Sequence, residues 1–219
     1  MFENSLRGRF MFLVISIALN AISNALTVST NMGSAIWTAS ATNLSHWLGI
    51  SLGTILFLEG IAVAVANLAF LGRFDYFRLI RNLLYTLPFS YLLSAFVVVF
   101  NRLGVPELPL AARMVLDIIG IFGIAVAVSI YQRANLIMHP NDDLPYILRY
   151  RFLHGSAVLA QWISYLPPLL IVIVSAVITG HLYAVNFGTV WMLATQGWFI
   201  AWADRNVCGG LHHHLEFKN

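Results

Sequence analysis

Six long apolar runs constrain the fold of this chain more than any other feature of its sequence. Each run holds about 18 or more residues, enough for a helix to cross a hydrocarbon core of about 30 Å. Segments such as 61–71 and 169–178 are apolar on every face, with one polar residue each, Asn67 and Ser175, whereas strands of a membrane barrel alternate apolar and polar residues. The sequence therefore predicts an all-α polytopic membrane protein. Its six predicted transmembrane helices lie near 9–30, 51–71, 80–100, 112–132, 155–179 and 187–204.

The basic residues indicate the orientation of these spans. Lys and Arg in short loops stay in the cytoplasm, while acidic residues have little influence. One side would carry ten basic residues, whereas the other would carry only Arg102 and Arg113. The ten are Arg7, Arg9, Arg73, Arg78, Arg81, Arg133, Arg149, Arg151, Arg205 and Lys218. We therefore expect both termini in the cytoplasm and the chain in the lipid bilayer of a bacterial inner (plasma) membrane.

A similar polar interruption follows the first and the fourth span. The two interruptions, 31–38 and 135–142, stand 104 positions apart, and the same offset pairs Ala21 with Ala125. If each half holds three spans, the second half enters the membrane inverted, so the two breaks approach from opposite sides. The sequence thus predicts a single membrane domain over 1–219, with inverted repeats near 8–103 and 110–206 and a polar tail at 207–219.

The segments that follow the two breaks differ in character. Residues 34–48 are too apolar for an ordinary loop, so we expect them to lie in the interface or to re-enter the membrane. The second segment carries Asp142 and Asp143 after Pro140. These carboxylates suit a helix N-terminus, whose dipole favours negative charge, and they equally suit a ligand or a coupling ion.

Ionisable residues inside a span are functional candidates, because charge at membrane depth is expensive. Glu59 lies near the middle of the second span with no Lys or Arg within a dozen residues. It suits proton coupling or a cationic or hydroxyl-rich ligand, or else a neutral side chain bonded to backbone. Asp117 stands four residues after Arg113, and we expect the two to pair.

Polar residues near the breaks complete the candidate site. Asn20 and Asn24 share one face of the first span and either bond to neighbouring helices or line a solute site. The predicted substrate-binding residues are Asn20, Asn24, Asn31, Ser34, Trp37, Thr38, Glu59, Asn135, His139, Asn141 and Asp142.

The sequence carries none of the short motifs that mark common enzymes. It has no H-E-x-x-H, G-x-S-x-G, Walker A or C-x-x-C pattern, so we predict neither catalysis nor a cofactor nor a bound metal. It also has no basic helix face for nucleic acid.

The two breaks resemble those of the YczE/YitT-like family of bacterial integral membrane proteins. The likeness runs from about 17 to 197. The family's leucine-glycine, two small residues, proline-tryptophan-aspartate corresponds to Met-Gly-Ser-Ala-Ile-Trp-Thr at 32–38, where Ile36 and Thr38 replace the proline and the acid. The second break keeps the proline-x-aspartate core in Pro140 and Asp142. The resemblance implies a small six-helix transport protein and supplies no substrate.

We therefore expect a transporter or permease for a small polar or ionic solute, with a central site between the breaks. One alternative is the substrate-binding S-component of an energy-coupling-factor vitamin transporter, with Ala21 and Ala25 forming its surface for an ATPase module. Another is a non-transporting membrane scaffold or sensor. A homo-oligomer is compatible with each of these functions.

Overall fold

The structure, a computed structural model, describes residues 5–72, 74–154 and 157–212. Within these ranges the chain is helical and has no strand. The helices are α1 (Leu6–Thr30), α2 (Ile36–Leu48), α3 (Leu52–Leu71), α4 (Tyr76–Arg102), α5 (Leu110–Ala134), α6 (Pro140–Arg151), α7 (Ala157–Ser164), α8 (Leu166–Thr179) and α9 (Phe187–Asn206), with a 3-10 turn at Val105–Glu107. Arg73 and Lys218, used above for orientation, and residues 213–219 of the predicted tail lie outside the described residues.

Five helical segments are long and apolar enough to cross a membrane. They are α1, α3, α4, α5 and Leu159–Thr179, which joins most of α7 to α8. Five of the six predicted spans coincide with these segments. The sixth corresponds to α9, which is 20 residues long but carries Gln196, Asp204 and Arg205, and its crossing stays a prediction.

Short helices fill the two segments that follow the breaks. The first, predicted as an interfacial or re-entrant loop, is α2, and its residues from Thr38 to Asn43 are buried. α2 packs against α3 and α8, while α6 packs against α3 and α7. Both short helices therefore lie inside the bundle, where they bring the residues of the two breaks among the longer helices.

The helices α1 and α5 form the centre of the bundle and run antiparallel. Arg9 near the start of α1 donates from Nε to the carbonyl of Ala134 at the end of α5, at 2.6 Å. A Cβ added at Gly120 would lie 2.6 Å from Thr27 Cγ2, which shows how closely the two helices approach. Small residues allow this packing, and Ala21 and Ala25 are fully buried.

A proline pair ends one helix within the fifth predicted span. Pro167 and Pro168 follow directly on Leu166 at the start of α8, and α7 ends at Ser164. Proline fits the first turn of a helix but not its interior. The fifth predicted span is therefore broken at Tyr165, between α7 and α8.

The first residues of the predicted polar tail are packed. Leu211 is 2% exposed, and the nearby Arg133 is 1% exposed. Arg133 Nη1 donates to the carbonyl of Cys208 at 3.0 Å. This buried arginine fixes 207–211 against the end of α5.

Candidate functional site

A cavity of about 610 Å³ lies among the helices, with residues from α1 to α7 and α9 on its wall. Eight of the eleven predicted site residues line it. These are Asn20, Asn24, Trp37, Thr38, Glu59, His139, Asn141 and Asp142. The volume falls in the range of about 300–1,000 Å³ that is typical of small-molecule sites.

The two breaks place their residues on this cavity from opposite ends of the α1/α5 pair. α1 ends at Asn31 and α5 at Asn135, each in the left-handed conformation, with φ of 55° and 47°. Asn tolerates this conformation better than most residues and commonly ends helices in it. The chain can thus turn sharply, so that α2 and α6 begin beside the cavity.

A chain of hydrogen bonds joins the start of α2 to the middle of the bundle. Thr38 Oγ1 donates to Asn24 Oδ1 at 2.9 Å, and Asn24 Nδ2 donates to Asn20 Oδ1 at 2.8 Å. Asn20 Nδ2 in turn donates to the hydroxyl of Tyr85 at 2.9 Å. The polar face of α1 therefore serves two purposes, since it bonds to neighbouring helices and also lines the cavity.

Glu59 is the buried carboxyl of α3 on the cavity wall, with 8% of the residue exposed. Ser40 of α2 donates from Oγ to Glu59 Oε1 at 2.8 Å. Glu59 Oε2 has no hydrogen-bond partner within the described part of the chain. The bond to Ser40 orients the carboxyl and leaves its second oxygen buried without a partner.

His139 begins α6 and is buried beside aromatic rings. His139 is the N-cap residue of α6, because its Nδ1 accepts a hydrogen bond from the backbone N–H of Asn141 at 3.2 Å. The rings of Tyr85 and Phe89 lie edge-on at 5.3 and 4.9 Å between centroids. Burial lowers the pKa of His139 to about 3, and the imidazole is therefore neutral near pH 7.

Asp142 and Asp143 occupy the first turn of α6 but have different partners. The hydroxyl of Tyr131 donates to Asp142. Burial raises the pKa of Asp142 to about 6. The hydrogen bond from Tyr131 acts to lower this pKa, while the negative charge of Asp143 acts to raise it. Asp143 pairs with Arg78 of α4. Of the two acidic residues, Asp142 is therefore the one that reaches the cavity.

Three predicted site residues lie off the cavity wall. Asn31 lines a second pocket of about 450 Å³, and Asn135 ends α5. Ser34 is fully buried, where its backbone N–H donates to the carbonyl of Ala184 at 2.9 Å and to Thr189 Oγ1 at 3.1 Å. These contacts join the first break to the segment between α8 and α9 and to the first turn of α9.

The expected pairing of Asp117 with Arg113 is wrong. Asp117 accepts a hydrogen bond from Thr30 Oγ1 at 3.0 Å, whereas Arg113 Nη1 donates to the carbonyl of Thr30 at 3.2 Å. The end of α1 inserts its polar groups between the two side chains. Asp117 also contacts Gly188 at the start of α9, so its role is to join three helices.

Sequence reasoning missed several residues at the cavity or next to it. Ser40 orients Glu59, while the hydroxyls of Tyr85 and Tyr131 bond to Asn20 and Asp142. Trp198 of α9 also lies on the wall. Tyr85 and Tyr131 are fully buried. The position of Tyr85 inside α4, away from the membrane interfaces where Tyr is common, was an available signal, whereas Tyr131 lies in the last turn of α5.

The five apolar helices and the polar cavity among them are compatible with a multi-pass membrane protein. The chain belongs to a family of unknown function, DUF6198, whose profile matches residues 7–205. Comparison with curated proteins and with solved structures gives no match.

Proposed function

We propose that the protein is a transporter or permease for a small polar or ionic solute in a bacterial inner membrane. The carrying observation is that side chains from both breaks reach one cavity from opposite ends of the α1/α5 pair. Small transporters commonly bind solute between broken helices of this kind. Glu59 and the polar side chains of α1 and α6 would contact the solute there.

The proposal includes six spans in two inverted repeats, with both termini in the cytoplasm. Two arginine contacts support the inversion. Arg9 donates to the carbonyl of Ala134 at the end of α5, and Arg113 donates to that of Thr30 at the end of α1. The offset of 104 relates Arg9 to Arg113 and Thr30 to Ala134, so the two contacts correspond.

The resemblance of the breaks to the YczE/YitT-like family favours the same function. Asn31 and Asn135 are both left-handed and stand 104 positions apart. The first residues of α2 and α6, Ile36 and Pro140, have the same offset. The chemistry of the cavity is then the guide to the solute.

The S-component alternative was suggested by an alanine surface on α1, and in the structure this surface is buried. Ala21 and Ala25 have no exposed surface, because α1 packs against α4 and α5. That face of α1 therefore does not offer a surface to an ATPase module. The scaffold or sensor alternative is separated from transport by a flux measurement.

Flux in proteoliposomes tests the proposal. Purified full-length protein is reconstituted and assayed with cationic, anionic and neutral solutes, and we expect flux of one class. Glu59→Gln and Asn24→Leu should each reduce that flux at least about tenfold, because both remove polar groups from the wall. Glu107→Gln, at an exposed carboxyl off the wall, is the matched control. Folded protein that is silent with all three classes would contradict transport and favour a scaffold or sensor.

A further inference from the structure

The ionisable side chains on the cavity wall are Glu59, His139, Asp142 and Tyr165. The imidazole is neutral near pH 7, because burial lowers the pKa of His139 to about 3. Of the described side chains, no Arg or Lys reaches the wall, and Arg78 is paired with Asp143. Any charge that the cavity wall carries is therefore negative.

The residues of this wall also carry buried polar atoms without a partner, and most of these atoms are acceptors. Glu59 Oε2, Asn141 Oδ1 and Gln196 Oε1 are buried and lack a hydrogen-bond partner among the described residues. Trp37 Nε1 is the corresponding donor. Buried polar groups without a partner are uncommon in folded proteins, and Glu59 is only 8% exposed. A ligand that carries positive charge or donates hydrogen bonds would satisfy more of these atoms than an anion would.

Aromatic rings supply a second feature that suits a cation. Trp37, Phe89 and Tyr165 line the cavity, together with Trp162 and Trp198. The face of such a ring attracts a cation within about 6 Å, and the attraction is stronger when the contact is desolvated. The apolar side chains Leu56, Ile124 and Met192 complete the wall. A cavity of about 610 Å³ with this lining suits an organic cation with an apolar body.

Exposed residues of α7 and α9 line the cavity, which indicates an opening between these two helices. Trp162 and Trp198 lie on its wall and are 60% and 69% exposed. α9 packs against α5, and within the described ranges it makes no extensive contact with α7 or α8. α3 and α4, by contrast, pack closely. With α9 crossing the bilayer, as in the proposed function, this opening faces lipid, and indole rings are common at the membrane interfaces.

We propose that the central cavity binds an amphiphilic organic cation, with Glu59 as its counter-charge and the gap between α7 and α9 as its entrance from the bilayer. This deepens the proposed function, because it rests on the same cavity being the solute site. It does not require that the bound cation be moved across the membrane.

Two ions of the same shape and opposite charge test the inference. Binding of tetraphenylphosphonium and of tetraphenylborate is measured on the full chain in lipid nanodiscs, with empty nanodiscs subtracted. We expect saturable binding of the phosphonium and a preference for it over the borate. Glu59→Gln should weaken phosphonium binding at least about tenfold, as loss of a buried charge partner does, while Glu107→Gln binds as the parent does. Equal binding of the two ions, or an unchanged Glu59→Gln, overturns the inference.

Two further variants keep the test decisive. If Glu59→Gln fails to elute as a folded monodisperse species, Asp142→Asn replaces it and should weaken phosphonium binding severalfold. An unchanged affinity there counts against a cation site. Gly197→Trp adds an indole at the opening, where nothing lies within 4 Å of the added Cβ. It should slow phosphonium association severalfold. An unchanged rate overturns the lateral entrance.

Failure of this inference is distinguishable from failure of the proposed function. Flux of a neutral or anionic solute without phosphonium binding would overturn the cation site and leave the transporter standing. Phosphonium binding that depends on Glu59, without flux of any solute, would support the cation site and contradict transport.

Discussion

At the scale of single residues, the asparagine at each break is explained by the backbone. Asn31 and Asn135 have positive φ, at 55° and 47°, a conformation that costs most L-residues about 1–2 kcal/mol. Both residues were predicted to contact substrate, yet neither lines the central cavity. Their shared role is to end α1 and α5 so that α2 and α6 can start inside the bundle.

Substitution of Asn31 tests this backbone role. Asn31→Gly should unfold at the same temperature as the parent within error, because glycine adopts positive φ freely. Asn31→Val should lower the free energy of unfolding by about 1–2 kcal/mol, because a β-branched residue is strained there. Thermal unfolding in detergent is the measurement. An equal loss in both variants would show that the amide side chain, and not the backbone, matters.

The pH dependence of stability should report on Asp142. Its raised pKa of about 6 means that ionisation is disfavoured in the folded protein. Its contribution to stability is therefore present below about pH 4 and lost as the pH rises through 6. Around it lie His139, Asp143 and the hydroxyls of Tyr85, Tyr131 and Tyr165.

His139 acts in the opposite direction, because its pKa is lowered to about 3. Its contribution is present above about pH 6.5 and lost as the pH falls. Asp142→Asn removes only the first effect, so its stability relative to the parent should be greater at pH 8 than at pH 4, by about 1–3 kcal/mol. Unfolding curves at the two pH values measure this, with Glu107→Gln as the control. A difference independent of pH would contradict the burial of Asp142.

At the scale of helices, α1 and α5 each have their last carbonyl bonded by an arginine from the other. Arg9 serves α5, and Arg113 serves α1 while also donating from Nε to the carbonyl of Leu108 at 3.1 Å. The C-terminal end of a helix carries unpaired carbonyls and a negative dipole end, so a cation there is stabilising. The antiparallel pair is thus held at both ends.

Arg113→Gln tests the contribution of one end. We expect the free energy of unfolding to fall by about 1–3 kcal/mol, as for lost hydrogen bonds to a charged group. Arg102→Gln, at an exposed arginine in the last turn of α4, is the matched control and should cost less than about 1 kcal/mol. Equal effects of the two substitutions would mean that net charge, rather than the contact with Thr30, is responsible.

The sequence predicts the long helices well, because apolar length alone determines them. It predicts the ends of α1 and α5 at Asn31 and Asn135, since a polar break after an apolar run is visible locally. It does not predict that α2 is a buried helix, because 36–48 mixes small, polar and apolar residues without a clear face. It also mistakes Asp117 for a partner of Arg113, because the competing group, Thr30, is distant in sequence.

The candidate site follows the same division. Glu59, Asn20 and Asn24 stand out in the sequence, since polar groups are rare at membrane depth. Ser40 and Tyr131 do not, because their roles arise only from contacts made when α2 meets α3 and α6 turns back to α5.

At the scale of the whole molecule, the two halves correspond in packing but differ around the cavity. The offset of 104 positions relates α1 to α5, α2 to α6, α3 to α7–α8 and α4 to α9. The packing of α1 against α4 corresponds to that of α5 against α9, and the packing of α2 against α8 corresponds to that of α6 against α3. The correspondence fails where α3 packs on α4, because α9 stands away from α8 in the described residues. The difference leaves one open side among the described residues, and the position of α9 relative to the membrane decides whether that side faces lipid.

Cysteine labelling measures whether α9 crosses the membrane and in which direction the chain runs. In a Cys208→Ser background, Glu107→Cys should react with a membrane-impermeant maleimide added outside intact cells. Asn206→Cys should react only after the membrane is permeabilised, because three predicted spans, α5, α7–α8 and α9, separate the two positions. Both residues are exposed, so the side of the membrane decides their reactivity. Reaction of both from the same side would mean that α9 does not cross, and exchanged reactivity would mean that the orientation inferred from the basic residues is inverted.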